Sequence, residues 1–322
     1  MNTDLPYGPV QDDLAQVEAA LDALRDVDFP PMVEMLNLVL AKGGKRLRPA
    51  LSLLAGKFGH YKLDLLVPLA ASIELLHTAT LVHDDVIDNA ATRRGRPTAN
   101  SVFHNTTTVM LGDYMFAHAA NFVARTGNIR VIRLFSHTLM TIARGEIGQD
   151  MTAYDTRQTV RHYLQRIAGK TASLFATACE GGAIVAEANQ DRVEGLRSYG
   201  YNLGMAFQIV DDILDFVGDE EEMGKPVGSD LMQGTLTLPS LLLLDRYPKD
   251  NPIPNLFARS RRRQEYLSQA VEMIRQSDIP QESYEMARSF GEKAQEALAA
   301  LPRNPARRAL GHIVAYVLER RS

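Results

Sequence analysis

Residues 72–88 read SIELLHTATLVHDDVID, an apolar run at helical spacing that ends in three aspartates, Asp84, Asp85 and Asp88. Ionised carboxylates are costly among apolar side chains unless something pairs with them. The periodicity of this stretch therefore bears on the fold, and its charge bears on the chemistry. Apolar residues recur at three- and four-residue spacing here and again over 17–24, 49–58 and 160–186, with few alternating runs of strand type. The expected fold class is all-α. Gly, Pro and charge cluster at 42–48, 89–98, 218–234 and 247–254, where the helices should break.

The run has one distant echo. HDDVID at 83–88 and VDDILD at 210–215 share the pattern Asp-Asp-x-x-Asp, each after an apolar approach, so the second set is Asp211, Asp212 and Asp215. On a helix, Asp84 and Asp88 lie one above the other, as do Asp211 and Asp215, and like charges so placed repel. A cation is expected between them. All-oxygen sites with room for water suit Mg2+, which takes one or two carboxylates and completes its shell with water and phosphate oxygens. The bland alternative is a solvated helix end or a charge matched to the helix dipole.

Basic segments supply the other half of an anion site. GGKRLRP at 43–49 precedes a helical run, with Pro49 suited to its first position, and sets Lys45 and Arg48 beside free backbone amides. RRGRPT at 93–98 brings Arg93 and Arg94 close behind the first acids, and arginine takes phosphate oxygens bidentately. His77 lies two turns before Asp84 on the same face. Lys170 sits in IAGKTASLFA, where a lysine needs a partner, and Lys225 follows the second acidic set. Thr171 and Gln208 are helical polar residues beside key charges, as easily read as packing residues as dipoles for a reacting cation. Together these features suit loss of diphosphate as a leaving group inside apolar walls that exclude water.

Composition narrows the rest. A net charge of −4 over 322 residues argues against a nucleic-acid binder held by bulk charge. The single cysteine, Cys179, allows no intrachain disulfide and fits a reducing compartment. No uninterrupted apolar run approaches the roughly 20 residues of a spanning helix, and the N-terminus lacks signal-peptide features. The expectation is a cytoplasmic protein of one domain over 1–322, with 1–15 a flexible segment, and with peripheral membrane contact for product release left open.

GGKRLRP, LLHTATLVHDDVID, RRGRPTAN, GKTASLFATAC, FQIVDDILDF and GKPVGSDLMQGTLTLP resemble, in order and spacing, the trans-polyprenyl diphosphate synthases. The similarity runs from about Gly43 to Pro239, and ARRALGHIVAYVLERRS also looks like the family's C-terminus. It implies an isoprenoid synthase fold, a large helical bundle around a central cavity, a homodimer, and head-to-tail condensation of an allylic diphosphate with isopentenyl diphosphate. By motif, Asp84, Asp85, Asp88, Asp211, Asp212 and Asp215 would bind Mg2+. Arg93, Lys170 and Lys225 would contact the allylic diphosphate, while Lys45, Arg48, His77 and Arg94 would hold isopentenyl diphosphate. Thr171 and Gln208 would face the allylic cation. Thr235 departs from the lysine many relatives carry, which removes one cation near the second acids.

The resemblance also implies a chain-length tunnel along the helix leading to Asp84. Ala79 and Thr80 are small where short-chain relatives often place an aromatic; Leu76, Leu75 and Ser72 lie deeper, and Met140 on another helix would form a floor. The expected product is longer than farnesyl, closest in wording to octaprenyl-type synthases. Competing readings are a farnesyl or geranylgeranyl diphosphate synthase, a class I terpene cyclase, and a noncatalytic subunit of a heteromeric synthase. The cyclase leaves GGKRLRP and RRGRPT without a substrate, and the noncatalytic reading sits poorly with two intact acidic sets.

Overall fold

The apolar periodicity resolves into helices along nearly the whole chain. The structure, a computed structural model, describes residues 7–40, 45–93, 95–219, 226–258 and 261–320. The helices run α1 Gln11–Asp22, α2 Pro30–Val39, α3 Leu47–Gly56, α4 Leu63–Ile87, α5 Ala99–Val102, α6 Asn105–Ala124, α7 Ile129–Met151, α8 Val160–Ile167, α9 Ser173–Val185 and α10 Gln190–Val217. They continue with α11 Ser229–Met232, α12 Leu238–Arg246, α13 Ile253–Phe257, α14 Arg263–Arg275, α15 Ile279–Ala299 and α16 Pro305–Glu319. Among the described residues the only strand pairing is a two-residue hairpin, β1 Thr92–Arg93 against β2 Arg96–Pro97. The all-α expectation holds.

The chain was read as one domain, but its contacts gather into two compact units. The first comprises Met1–Leu139, Leu174–Gly200 and Gln295–Ile313; the second comprises Met140–Ser173, Tyr201–Ala294 and Val314–Ser322. Helix α10 contributes 190–200 to the first and 201–217 to the second.

In the first unit α4 is the central helix. It is apolar on all sides, as a helix surrounded by others must be, and α1, α3 and α6 pack on it. At 25 residues α4 is long and apolar enough by length and composition to cross a membrane, although Asp64, Glu74 and His77 interrupt its apolar run. Its most apolar window is 61% buried within the fold, as a core helix should be. Two close approaches depend on glycine. A Cβ on Gly182 of α9 would lie 2.1 Å from the Ser52 carbonyl oxygen of α3, and one on Gly112 of α6 would lie 2.1 Å from Nε2 of His83.

Of the N-terminal segment expected to be flexible, residues 1–6 lie outside the described residues and 7–15 are ordered instead. Residues 7–15 form a 3-10 turn, Gly8–Val10, and the start of α1, with Tyr7, Val10, Leu14, Val17 and Leu21 buried. The spacing of Val10, Leu14, Val17 and Leu21 is a helical stripe, and the acidic residues between them mask it in composition.

The core of the second unit gathers Tyr163, Ile209, Ile213, Phe216, Leu238 and Ile274. Between α8 and α9 the chain does not stay α-helical: Ala168–Ala172 forms a single π-helical turn carrying Lys170 and Thr171. Such insertions recur at functional sites because they re-aim side chains out of helical register.

Gly182→Ala should lower the thermal midpoint, since backbone meets backbone at that contact and no side chain can move aside. An overpacking cost of about 1–3 kcal/mol is expected, read by calorimetry against wild type.

Candidate active site

Each acidic set lies in its own unit, and in each the aspartates divide into inward and outward members. In the first unit, Asp85 is 6% exposed and accepts a hydrogen bond from Arg93 Nε at 2.7 Å. Burial pushes its carboxyl above the usual carboxylate range; the Arg93 guanidinium opposes that shift and neighbouring Asp84 adds to it. Asp84 is half-buried on α4, and Asp88 is exposed just past the helix end. Arg93 reaches Asp85 from the β1–β2 hairpin, which is tied to the end of α4 because Thr98 Oγ1 and Asn100 Nδ2 donate to the Ala90 carbonyl at 2.6 and 3.1 Å. Arg94 lies outside the described residues.

Helix α3 begins at Leu47, so Pro49 stands in its first turn but not at its first position. Arg48 enters the helix and lies over the Phe175 ring, 4.8 Å from its centroid. Tyr7 donates from its hydroxyl to the Lys45 carbonyl at 2.6 Å. Arg46 turns inward to Glu18 and Glu74. His77 is half-buried on α4, two turns from Asp84, with its carbonyl accepting from Thr80 Oγ1 at 2.7 Å.

The second unit repeats the division. Asp211 keeps 44% of its side chain exposed and pairs with Arg320 Nη2 at 2.9 Å. Asp212 is buried with both oxygens occupied, accepting from Tyr163 Oη at 2.7 Å and from Gln208 Nε2 at 2.8 Å. Burial pushes the Asp212 carboxyl up to about 6; the Tyr163 and Gln208 hydrogen bonds pull against that, and Asp211 adds to it. Asp215 is 1% exposed and accepts from Ser229 Oγ at 2.9 Å and the Asp230 amide at 3.4 Å. The six aspartates expected to bind metal thus differ in the protein contacts they make. Asp85, Asp212 and Asp215 face inward onto protein donors, and Asp84, Asp88 and Asp211 offer accessible carboxylates.

Lys170 finds the partner its burial demands in Glu146 of α7, at 2.8 and 3.0 Å from the two carboxylate oxygens. Thr171 donates to Gln208 Oε1 at 2.6 Å, and Gln208 in turn donates to Asp212. A continuous chain therefore runs from Thr171 through Gln208 and Asp212 to Tyr163. Because a carboxylate only accepts, Asp212 fixes the amide nitrogen of Gln208 on its own side and leaves the amide oxygen for Thr171. Lys225 lies outside the described residues.

The tunnel residues do not all border open space. Ala79, Leu76, Leu75 and Ser72 are 0% exposed, and Ser72 donates to the Leu69 carbonyl at 2.7 Å. Thr80 is partly exposed on the face that carries Asp84, so it is Thr80 that borders accessible space. Met140, expected as a floor, is 63% exposed and falls on one stripe of α7 with exposed Ile147 and Met151. Seven- and four-residue spacing puts those three on the outer face.

Reading the residues alone missed Arg46, Glu74, Glu146, Tyr163 and Arg320. Glu74 had a signal, a lone acid in an apolar run; Tyr163 had none.

Among the described residues no three His, Cys, Asp or Glu side chains converge enough to hold a metal ion by themselves. Accessible carboxylates in ones and twos are nonetheless the donor set Mg2+ takes when a substrate supplies further oxygens, so Asp84, Asp88 and Asp211 fit that ion.

Residues 30–274 match a family model described as polyprenyl synthetase. The chain is 40% identical over 98% of its length to heptaprenyl diphosphate synthase component 2 of Geobacillus stearothermophilus, and covers 98% of that protein. It superposes with a TM-score of 0.90 and 36% identity on a decaprenyl diphosphate synthase from Rhodobacter capsulatus, covering 99% of both chains. A polyprenyl synthase from Caulobacter crescentus complexed with calcium and isoprenyl diphosphate gives a TM-score of 0.92 at 34% identity, covering 99% of this chain and 98% of that one. The chain belongs to the polyprenyl synthetase family of trans-prenyltransferases.

Proposed function

We propose that this protein condenses isopentenyl diphosphate head-to-tail with an allylic diphosphate, using Mg2+, to make an all-trans polyprenyl diphosphate longer than farnesyl, with release of diphosphate. The observation that carries the proposal is the end of α4, where accessible Asp84 and Asp88 stand beside an inward Asp85 that holds Arg93. Relatives named for heptaprenyl and decaprenyl products support the longer chain.

Mg2+ bound by Asp84, Asp88 and Asp211 would supply positive charge against that developing on the departing diphosphate. By motif, Arg93 and Lys170 are the donors this reading gives the allylic diphosphate, and Lys45, Arg48 and His77 those it gives isopentenyl diphosphate. Lys170 must exchange Glu146 for phosphate oxygens, so Glu146 keeps the ammonium ordered until the anion arrives. The Thr171 hydroxyl and Gln208 amide present fixed dipoles to the allylic cation, and apolar side chains of α4 exclude water. The departing diphosphate accepts the final proton.

A homodimer is the assembly this reading takes. Val109 and Met110 leave α6 39% and 65% exposed, and Met140, Ile147 and Met151 leave α7 with an apolar stripe, surfaces a second copy would cover. The name "component 2" of the Geobacillus relative motivates the alternative of a catalytic subunit that needs a partner. The buried lone Cys179 accords with a cytoplasmic setting.

Purified protein given farnesyl and isopentenyl diphosphates with Mg2+ should sediment as a dimer and yield products beyond farnesyl without any added polypeptide. A monomer that turns over only after a second component is supplied would contradict the homodimer. Thr80→Tyr should shorten the product by about one isoprene unit, because one turn of α4 spans roughly 5.4 Å. An unchanged length distribution would remove Thr80 from the ruler.

Asp211→Asn should raise the Mg2+ concentration for half-maximal activity. Tyr163→Phe should leave that concentration unaltered and lower kcat about tenfold, the worth of one buried hydrogen bond in orienting Gln208. A shifted Mg2+ requirement in Tyr163→Phe would instead return Asp212 to the metal.

A further inference from the structure

Arg46 stands between two cations assigned to isopentenyl diphosphate in GGKRLRP, and its side chain is taken by two carboxylates of the protein. Its backbone is left-handed, with φ 46° and ψ 33°, a conformation that residues other than glycine adopt rarely. That twist falls just before α3, whose first turn carries Arg48 over the Phe175 ring. The guanidinium meets two carboxylates. Nη1 donates to Glu74 Oε1 at 2.8 Å, Nη2 to Glu18 Oε2 at 3.1 Å, and Nε to the second oxygen of Glu18. Glu74 is 7% exposed in the middle of α4, and burial without a cation there would be costly.

The same loop is held at a second point. Tyr7, 5% exposed, donates to the Lys45 carbonyl at 2.6 Å. The Arg46 carbonyl accepts from the Ala50 amide at 3.1 Å, which starts α3. The segment is therefore gripped by Tyr7 and by Glu18 of α1 on one side and by Glu74 of α4 on the other. Helix α4 is also the element that carries His77, one turn beyond Glu74, and Asp84 and Asp88 at its end.

We propose that Arg46 is a positioning residue, braced by Glu18, Glu74 and Tyr7, that sets Lys45 and Arg48 in register with His77 so that isopentenyl diphosphate is held at a fixed place along α4. This rests on the reading that the loop binds isopentenyl diphosphate. The N-terminal segment then has a catalytic consequence, because Tyr7 together with Glu18 of α1 supplies two of the three braces. Holding one reactant against the helix that positions the other is where small displacements are expensive in rate.

The sign of one substitution separates a brace from a direct ligand. Neutralising Glu18 removes negative charge near an anionic substrate and frees Arg46, so a direct ligand would bind isopentenyl diphosphate more tightly; a brace would bind it less tightly. The experiment is steady-state kinetics on the full chain with farnesyl diphosphate and labelled isopentenyl diphosphate, for Arg46→Ala, Glu18→Gln and Tyr7→Phe. The KM for isopentenyl diphosphate should rise roughly tenfold in Arg46→Ala and about threefold in the other two, with the KM for farnesyl diphosphate and the Mg2+ requirement within about twofold of wild type. Tyr7→Phe and Glu18→Gln remove only one hydroxyl or one charge and decide the matter even if Arg46→Ala fails to fold. A lowered isopentenyl KM in Glu18→Gln, or an unchanged one in Arg46→Ala and Tyr7→Phe, would overturn the proposal. Wild-type protein that consumes farnesyl diphosphate but incorporates no isopentenyl diphosphate would instead overturn the reading of the loop on which it rests.

Discussion

A carboxylate placed in an apolar helix must be paired, and much of this protein follows from how that demand is met. Removing one partner of a buried pair costs about 3–5 kcal/mol, whereas an exposed pair contributes about 0–1 kcal/mol. Glu74 takes Arg46, Asp85 takes Arg93, and Asp212 takes Tyr163 and Gln208. These inward acids organise the cations and dipoles around them. The outward acids, Asp84, Asp88 and Asp211, keep more of their carboxylates accessible. The Asp-Asp-x-x-Asp pattern thus divides within about one turn of helix: its first residue keeps an accessible carboxylate in both sets and its second anchors a neighbouring element, while its last is exposed as Asp88 and buried against Ser229 as Asp215.

Pairing also prepares the cations for exchange. Lys170 rests on Glu146, and the π-helical turn that carries it places Thr171 against Gln208. On the proposed reading, a diphosphate would compete with a carboxylate for an ammonium that is already ordered, so less side-chain freedom would be lost on binding than for a solvated lysine. Arg320 stands in the same relation to Asp211, with its guanidinium 4.1 Å from the Phe207 ring centroid. On the proposed reading, a metal ion at Asp211 would compete with Arg320 for that carboxylate.

The fold class was legible because it rests on periodicity, which is local. The acids and Lys170 were legible because unpaired charge in apolar surroundings demands an explanation, whereas the bond from Thr171 to Gln208 was not. What stayed hidden depends on backbone direction or on distant pairing. Arg46 reads like Lys45 and Arg48 until its left-handed backbone and its bonds to Glu18 and Glu74 set it apart. Asp212 and Asp215 read like Asp211 until Tyr163 and Ser229 arrive from elsewhere in the chain. The stripe of Val10, Leu14 and Val17 was outvoted by the acidic residues between its members. Met140 was placed inside on a family expectation, although its spacing with Ile147 and Met151 put it outside. Ala79 and Thr80 differ by a 100° step around α4, and only tertiary packing shows which one borders open space.

The division of the aspartates into inward and outward members is the centre of this account. It is tested most directly by a crystal structure of the protein with Mg2+ and an uncleavable thio analogue of farnesyl diphosphate. Carboxylate oxygens of Asp84, Asp88 and Asp211 should lie about 2.0–2.1 Å from metal, while Asp212 keeps Tyr163 and Gln208 and Asp215 keeps Ser229. Metal ligated by Asp212 or Asp215, with those hydrogen bonds broken, would contradict it.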